Sequence, residues 1–354
     1  MSTKNIVHIV GTGTIGEPLI GMFAELKGPF GIDEVTFHKR TPLKYERAKV
    51  ESIVRHGAKL CVEADARAEF EKLGHKPSFE AREALDRATV VIDCTPAGNE
   101  NKEKHYQHVK GPRGFIAQGS EHGFGKMYAR GINDEALERD KDRFIQVVSC
   151  NTHNISVITK TIAAGADGKI RLRQGRFVCM RRASDLSQDN DFLPAPQVGK
   201  HDDDECGTHH ARDAHELFET LGIKLNMFSS VIKVPTQFMH TLHFSLDLED
   251  SITKDQVVSR LKENPRVAVT ELRSANRIFS FGRDHGFFGR ILSQTVIPTS
   301  TITVRGGREV VGFCFTPQDG NALLSSIAAT LWYLYPDGFT DRISAIRPYL
   351  FREV

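Results

Sequence analysis

Ile6-Val7-His8-Ile9-Val10-Gly11-Thr12-Gly13-Thr14-Ile15-Gly16 decides the fold. Residues 6–10 form a short apolar run, and a G-x-G-x-x-G turn follows at once. From Glu17 to Lys27 the apolar residues Leu19, Ile20, Met22, Phe23 and Leu26 recur at helical spacing, with Pro18 tolerable in the first turn. Strand, glycine-rich turn and helix are the context a dinucleotide-binding turn needs. Gly11 permits the tight turn, Gly13 lets backbone approach a pyrophosphate, and Gly16 lets the helix pack closely. Thr14 and Ile15 complete the turn and join the expected cofactor contacts. A turn that merely connects two elements can carry the same glycines, but this flanking pattern favours the nucleotide reading.

Working outward, Glu34–His38 reads as the next strand and ends at Lys39-Arg40-Thr41. An NAD-specific site places an acidic residue there; two cations and a hydroxyl suit a 2′-phosphate instead. NADP is therefore the expected cofactor, with NAD as the alternative, although an exposed basic turn would look the same. Thr41-Pro42 is expected to open a helix that Gly57 closes. Further strands are expected at Lys59–Glu63, Thr89–Thr95, Gly114–Ser120 and Phe144–Val148, with Phe79–Arg87 helical. Alternating strands and helices predict a Rossmann-type, doubly wound parallel sheet whose ligand turns line the carboxyl ends of the strands.

The pattern changes after residue 149. Ile170–Met180, Lys224–Val234, His240–Leu248, Arg290–Val304 and Glu309–Phe315 are strand-like, with Arg305-Gly306-Gly307-Arg308 as a hairpin turn and Ser251–Asn264 as an intervening helix. The expected organisation is an α/β chain. A dinucleotide-binding domain spans 1–149, and an α+β catalytic domain with a mixed or antiparallel sheet spans 150–315. Residues 316–354 carry an apolar helix, Asn321–Tyr333, that returns to the first domain.

A net charge of +2, with charged residues at 26%, implies no nucleic acid or membrane surface as partner. No apolar run reaches membrane-spanning length. Met1-Ser2-Thr3-Lys4 leads straight into a strand, which leaves no room for a signal peptide. The six cysteines are scattered without a C-x-x-C pair, as suits reduced thiols, so the expected compartment is the cytoplasm.

Cys150 stands between the strand ending at Val148 and a helical run, Ile155–Ala164. Helix N-terminal amides favour a thiolate, so a lowered pKa and covalent attack on a carbonyl are one reading. A small buried hydrophobe is the other. As the end of the last parallel strand, Cys150 is expected to face the same crevice as the glycine turn. Arg181-Arg182 offers guanidinium forks for a phosphate, although Arg181 is expected to pair with Asp185 at the surface. Thr208-His209-His210 opens a helix and makes a plausible anion site. The acidic stretch before it, 201–207, has metal-ligand residue types but no ligand spacing, so no metal is expected. His240 sits on a turn between two strands, suited to acid–base work near neutral pKa or to a purely structural place.

Together these patches resemble the archaeal-type (class II) phosphorylating glyceraldehyde-3-phosphate dehydrogenases. The matching segments are Gly11–Gly16, Val147–Thr152, Arg181–Asp185, Thr208–Asp213 and Val234–His240, with weaker ones at Asn264–Arg266 and Gly282–Asp284. The resemblance implies that Cys150 forms a thiohemiacetal with the aldehyde. His240 takes its hydroxyl proton, hydride passes to NADP, and inorganic phosphate releases the acyl group from a thioester. It places Ser149, Asn151, Thr152, Arg182, His209 and His210 around substrate and phosphate, and Gly119, Gln318 and Asn321 at the cofactor. It also implies a homotetramer. The chain departs from the pattern at His153, Asn154 and Val157, the last in place of an arginine. A related semialdehyde or acyl-phosphate reductase and a catalytically altered NADP-binding homologue are the alternatives.

Overall fold

The computed structural model describes residues 4–119, 121–184, 192–317 and 319–354. They divide into two compact units. One comprises the chain up to Tyr128, Leu137–Val147 and Ser325–Pro348; the other comprises Ala129–Ala136, Val148–Leu324 and Tyr349–Val354. No helix among the described residues is long and apolar enough to cross a membrane.

The first unit is built on eight strands: β1 (Ile6–Val10), β2 (Glu34–His38), β3 (Lys59–Val62), β4 (Phe79–Glu80), β5 (Val90–Asp93), β6 (Gly114–Ala117), β7 (Lys126–Tyr128) and β8 (Phe144–Val147). Their order is β4-β3-β2-β1-β5-β6-β8-β7, and every pair is parallel. The chain moves outward from β1 through β2 and β3, then returns to its other side with β5. That reversal, at the carboxyl ends of β1 and β5, is where doubly wound sheets take ligands. β1, β5 and β6 are buried almost throughout, as strands covered on both faces must be. Beneath them, stacked Tyr106, Phe115 and Phe144 with Phe124 set edge-on fill one side of the core.

The second unit carries β9 (Leu172–Arg181), β10 (Gln197–Val198), β11 (Met227–Lys233), β12 (Thr241–Leu248), β13 (Val267–Thr270), β14 (Thr295–Pro298), β15 (Thr303–Arg305) and β16 (Glu309–Phe315). Their order is β10-β11-β9-β12-β16-β14-β13, with β15 pairing β16. The β9–β11 and β13–β14 pairs are parallel and the others antiparallel, so this is the expected mixed sheet. β12 alternates half-buried and buried residues, sending Leu242, Phe244, Leu246 and Leu248 inward. Gly306 and Gly307, both at positive φ, turn β15 into β16 as the sequence predicts.

Several boundaries differ from expectation for local reasons. The helix expected from Thr41 starts at Arg47, after a single 3-10 turn over Lys44–Glu46. The run Arg290–Val304 breaks into β14 and β15, since Pro298 has no N–H for a ladder and a 3-10 turn, Thr299–Thr301, follows it. The apolar helix Gly320–Leu334 is followed by another, Phe339–Ile343. The helix Ala275–His285 and strand β13 were not anticipated.

Candidate active site

In the second unit the helix Cys150–Ala163 begins at the cysteine, five residues earlier than its apolar run suggests. Ser149 makes this start. It is extended, and its hydroxyl accepts the Thr152 N–H at 3.3 Å and lies 2.9 Å from the Thr152 hydroxyl. The Ser149 carbonyl accepts from both the backbone and Nδ1 of His153, at 2.9 and 3.0 Å. Cys150 therefore occupies the first helical position, half-buried.

A polar chain runs beneath the cysteine. Asn154, fully buried, donates its amide to the Thr316 hydroxyl, which donates to Asn151 Oδ1 at 3.3 Å. The Thr316 N–H donates to the His240 carbonyl at 2.9 Å. His240 in turn accepts the Arg182 backbone N–H on Nδ1 at 3.0 Å. Asn321 donates to the carbonyls of Cys150 at 3.0 Å and Gln294 at 3.2 Å. The Thr152 hydroxyl reaches the His210 carbonyl at 3.5 Å, tying the Cys150 helix to the helix His209–Glu219.

The electrostatics bear on the two readings held open for Cys150 and for His240. Burial and the Asp319 carboxylate push the Cys150 thiol up to about 11, against the pull of Arg182 and Arg181. Helix N-terminal amides do not outweigh desolvation here. Burial, then the charges of Arg182 and Arg181, hold His240 down to about 3, far from the near-neutral value expected of a turn histidine. His210 is likewise held well below the usual imidazole value by burial and by His209, and His209 is lowered too, chiefly by burial. Both rings, tilted together with centroids 3.9 Å apart, are thus biased toward the neutral form. The fixed positive charges are therefore Arg181 and Arg182. Arg182 is buried, with Nη2 4.0 Å from Asp319.

In the first unit, Gly11 takes φ +94° and donates its N–H to the His38 carbonyl, pinning the turn across the end of β2. A Cβ on Gly16 would lie 2.1 Å from the Gly11 carbonyl oxygen, so only glycine lets the helix Gly16–Glu25 close on the turn. A Cβ on Gly13 would meet nothing within 4 Å. The turn thus presents bare backbone at a helix N-terminus, and these residues fit a dinucleotide pyrophosphate. Lys39 is buried and bound to Glu46, which also holds Lys49 at 2.9 Å; Lys49 reaches the Thr12 carbonyl at 3.4 Å. Arg40 and Thr41 are exposed.

Comparison with known proteins narrows the reading. No protein-family model matches the chain. It is 27% identical over 319 residues to a glyceraldehyde-3-phosphate dehydrogenase from Pyrobaculum islandicum, covering 85% of this chain and 84% of that one. It is 26% identical over 311 residues to one from Metallosphaera sedula, at the same coverage. With glyceraldehyde-3-phosphate dehydrogenase 1 of Methanosarcina barkeri it shares 25% over 331 residues, 92% of this chain and 91% of that one. The chain is similar to archaeal proteins named glyceraldehyde-3-phosphate dehydrogenase over most of its length.

The residues that the resemblance to these dehydrogenases singles out fall into two sets. Gly11, Gly13, Thr14, Ile15, Gly16, Lys39, Arg40, Thr41 and Gly119 lie in the first unit; Ser149, Cys150, Asn151, Thr152, Arg182, His209, His210, His240 and Asn321 lie in the second. Gln318, Ser120 and Asp185 lie outside the described residues. Asn321, expected at the cofactor, spends its amide donors on two protein carbonyls and braces the Cys150 backbone. Lys39 is engaged by Glu46, which leaves Arg40 as the exposed cation of that turn. Sequence reasoning missed Asp319, Thr316 and the reach of Arg181. Asp319 adopts φ 56°, and the Asp-Gly pair opening the helix Gly320–Leu334 was the available signal.

Proposed function

We propose that this chain is a phosphorylating aldehyde dehydrogenase that prefers NADP and oxidises glyceraldehyde 3-phosphate or a related phosphorylated aldehyde. The observation that carries the reading is that Cys150, His240, Arg181 and Arg182 share one electrostatic cluster, on a relative of enzymes with that name. In this reading the Cys150 thiol loses its proton to solvent, the thiolate adds to the aldehyde carbon, and the carbonyl electron pair becomes an alkoxide. His240, neutral and with hydrogen on Nε2, donates to that oxygen. A bound oxidised nicotinamide dinucleotide supplies the hydride acceptor and a positive ring charge of the sign that favours a thiolate. Loss of hydride leaves a thioester on Cys150. Arg182, with His209 and His210 as neutral donors, orients the phosphate groups of substrate and acceptor. Inorganic phosphate then adds to the acyl carbon, and Cys150 departs as thiolate.

Gly13 and the helix behind it hold the pyrophosphate in this account, and Arg40 with Thr41 meets the 2′-phosphate. A cytoplasmic homotetramer is the assembly proposed; the free state of all six cysteines fits a reducing compartment. The test is a steady-state assay with glyceraldehyde 3-phosphate, NADP or NAD, and phosphate present, replaced by arsenate or omitted. Reduction that depends on phosphate or arsenate supports the proposal. Turnover with an aldehyde but without either acceptor moves the chain to another acyl fate, and nucleotide binding without any turnover makes it a non-catalytic homologue.

A further inference from the structure

β5 ends on Asp93, fully buried where the strand order reverses between β1 and β5. Four neutral donors converge on its carboxylate. Oδ1 accepts the Thr95 N–H at 2.8 Å and the Thr95 hydroxyl at 2.6 Å. Oδ2 accepts the Asn101 amide at 2.7 Å and the Tyr106 hydroxyl at 2.6 Å. Four bonds match the lone pairs of an ionised carboxylate. Burial and then Asp93 raise the Tyr106 hydroxyl well above its usual range, so it stays a donor. An apolar residue would close a buried strand end at less cost than a carboxylate, even a well-bonded one.

The two oxygens hold different parts of the first unit. Oδ2 holds Asn101, on the helix Gly98–Lys104, and the core residue Tyr106. Oδ1 holds the corner after β5, where the Thr95 hydroxyl also accepts the Ala97 N–H at 3.3 Å. That corner bears on the glycine turn. A Cβ on Gly11 would lie 3.0 Å from Thr95 Cγ2, and one on Gly16 would lie 3.4 Å from Cys94 Cβ. The Thr95 methyl therefore fills the space beside Gly11, and Cys94 backs Gly16. The Gly11 N–H is tied to the His38 carbonyl as well. The turn is clamped at both outer glycines and open at Gly13.

We infer that Asp93 is a positioning residue for the dinucleotide. Through the Thr95 hydroxyl it sets the Thr95 methyl against Gly11, and so keeps the Gly11–Gly16 turn in the shape that offers its backbone to the pyrophosphate. The inference rests on the dinucleotide reading of that turn and is independent of the aldehyde chemistry.

Isothermal titration of the full chain with NADP and, separately, with NAD tests it, beside a melting temperature for each variant. Thr95→Val keeps the methyl and removes the hydroxyl. Affinity should fall about fivefold or more, the scale of a lost hydrogen bond. The factor should be the same for both cofactors, because the pyrophosphate is common to them. Thr95→Ser keeps the hydroxyl, removes the contact with Gly11 and should weaken both cofactors too. Tyr106→Phe is the matched control. It takes one hydroxyl from the other carboxylate oxygen, so it should lower the melting temperature while leaving affinity unchanged. Asp93→Asn sets an amide against converging donors and should weaken both cofactors; the Thr95 variants carry the test if it folds poorly. Full affinity in Asp93→Asn or in both Thr95 variants, or an equal loss in Tyr106→Phe, overturns the inference and leaves the dinucleotide reading standing. An unaltered chain that binds neither cofactor overturns that reading and the inference with it.

Discussion

The Arg182 backbone N–H donates to Nδ1 of His240 over 3.0 Å, and that bond decides which nitrogen of the ring carries hydrogen. A neutral imidazole that accepts on Nδ1 must hold its proton on Nε2. With its pKa held down to about 3, the ring stays in that form through the working range. It can then donate to an oxyanion but has no vacant nitrogen to take a proton. His240→Ala should lower kcat by about 10²–10³, the cost of one oxyanion donor. His240→Gln, whose amide also donates, should recover about tenfold of that. The kcat/KM profile of the unaltered protein should show no limb near pH 6.5. Such a limb, or a glutamine variant as inactive as the alanine one, would return His240 to the role of base.

Burial and the Asp319 carboxylate raise the pKa of the Cys150 thiol, and Arg182 and Arg181 lower it. Removing the carboxylate charge with Asp319→Asn should increase the thiolate fraction at pH 7 and speed alkylation by iodoacetamide several-fold. Arg182→Gln should slow it. One pKa unit corresponds to about tenfold in thiolate, so peptide mapping of Cys150 over a timed alkylation resolves both changes. In the unaltered protein the rate should keep climbing with pH well past 9.

Gly13 and Gly16 should respond in opposite ways to the same substitution. Gly16→Ala forces a methyl group to within 2.1 Å of the Gly11 carbonyl and should give little folded protein. Gly13→Ala meets only open space, so the melting temperature should barely move while dinucleotide affinity falls by about tenfold or more. Arg40→Ala should weaken NADP and spare NAD, whereas Glu46→Gln, by releasing Lys39 and Lys49, should tighten NADP. Calorimetric titration with the two cofactors separates these outcomes.

Acid should unfold this protein early. Burial is the largest cause of the lowered pKa in His8 and His240, both about 3, and in His153, about 4. Between those values and 6.5 the unfolded chain binds protons that the folded one does not, so stability falls as pH falls through that window. Each histidine contributes up to about 1.4 kcal/mol per pH unit there. Urea midpoints measured from pH 7 down to pH 4 should drop steeply, and His8→Gln should flatten the slope if the variant folds.

The parallel sheet was legible because β1 and β5 are apolar apart from His8 and Asp93 and the glycine turn follows β1 immediately. The start of the Cys150 helix was harder to place. Asn151, Thr152, His153 and Asn154 are polar yet buried, so hydrophobic periodicity missed its first turn while Ser149 capped it. The charge state of the cluster could not be read from residue type. A helix N-terminus favours a thiolate only until desolvation outweighs it, and the balance also depends on the charges of Asp319, Arg182 and Arg181, which arrive from distant parts of the chain. Lys39 shows the same limit: its basic turn was visible, but its engagement by Glu46 was not.

The Asn154–Thr316 contact, 162 positions apart along the chain, carries a consequence for descent. Small residues at both places would do as well in a lineage that never set this amide against that hydroxyl. Once the pair existed, neither side could drift alone without costing a buried hydrogen bond. Positions 154 and 316 should therefore be inherited as a unit, and a descendant that swaps one will have had to swap the other.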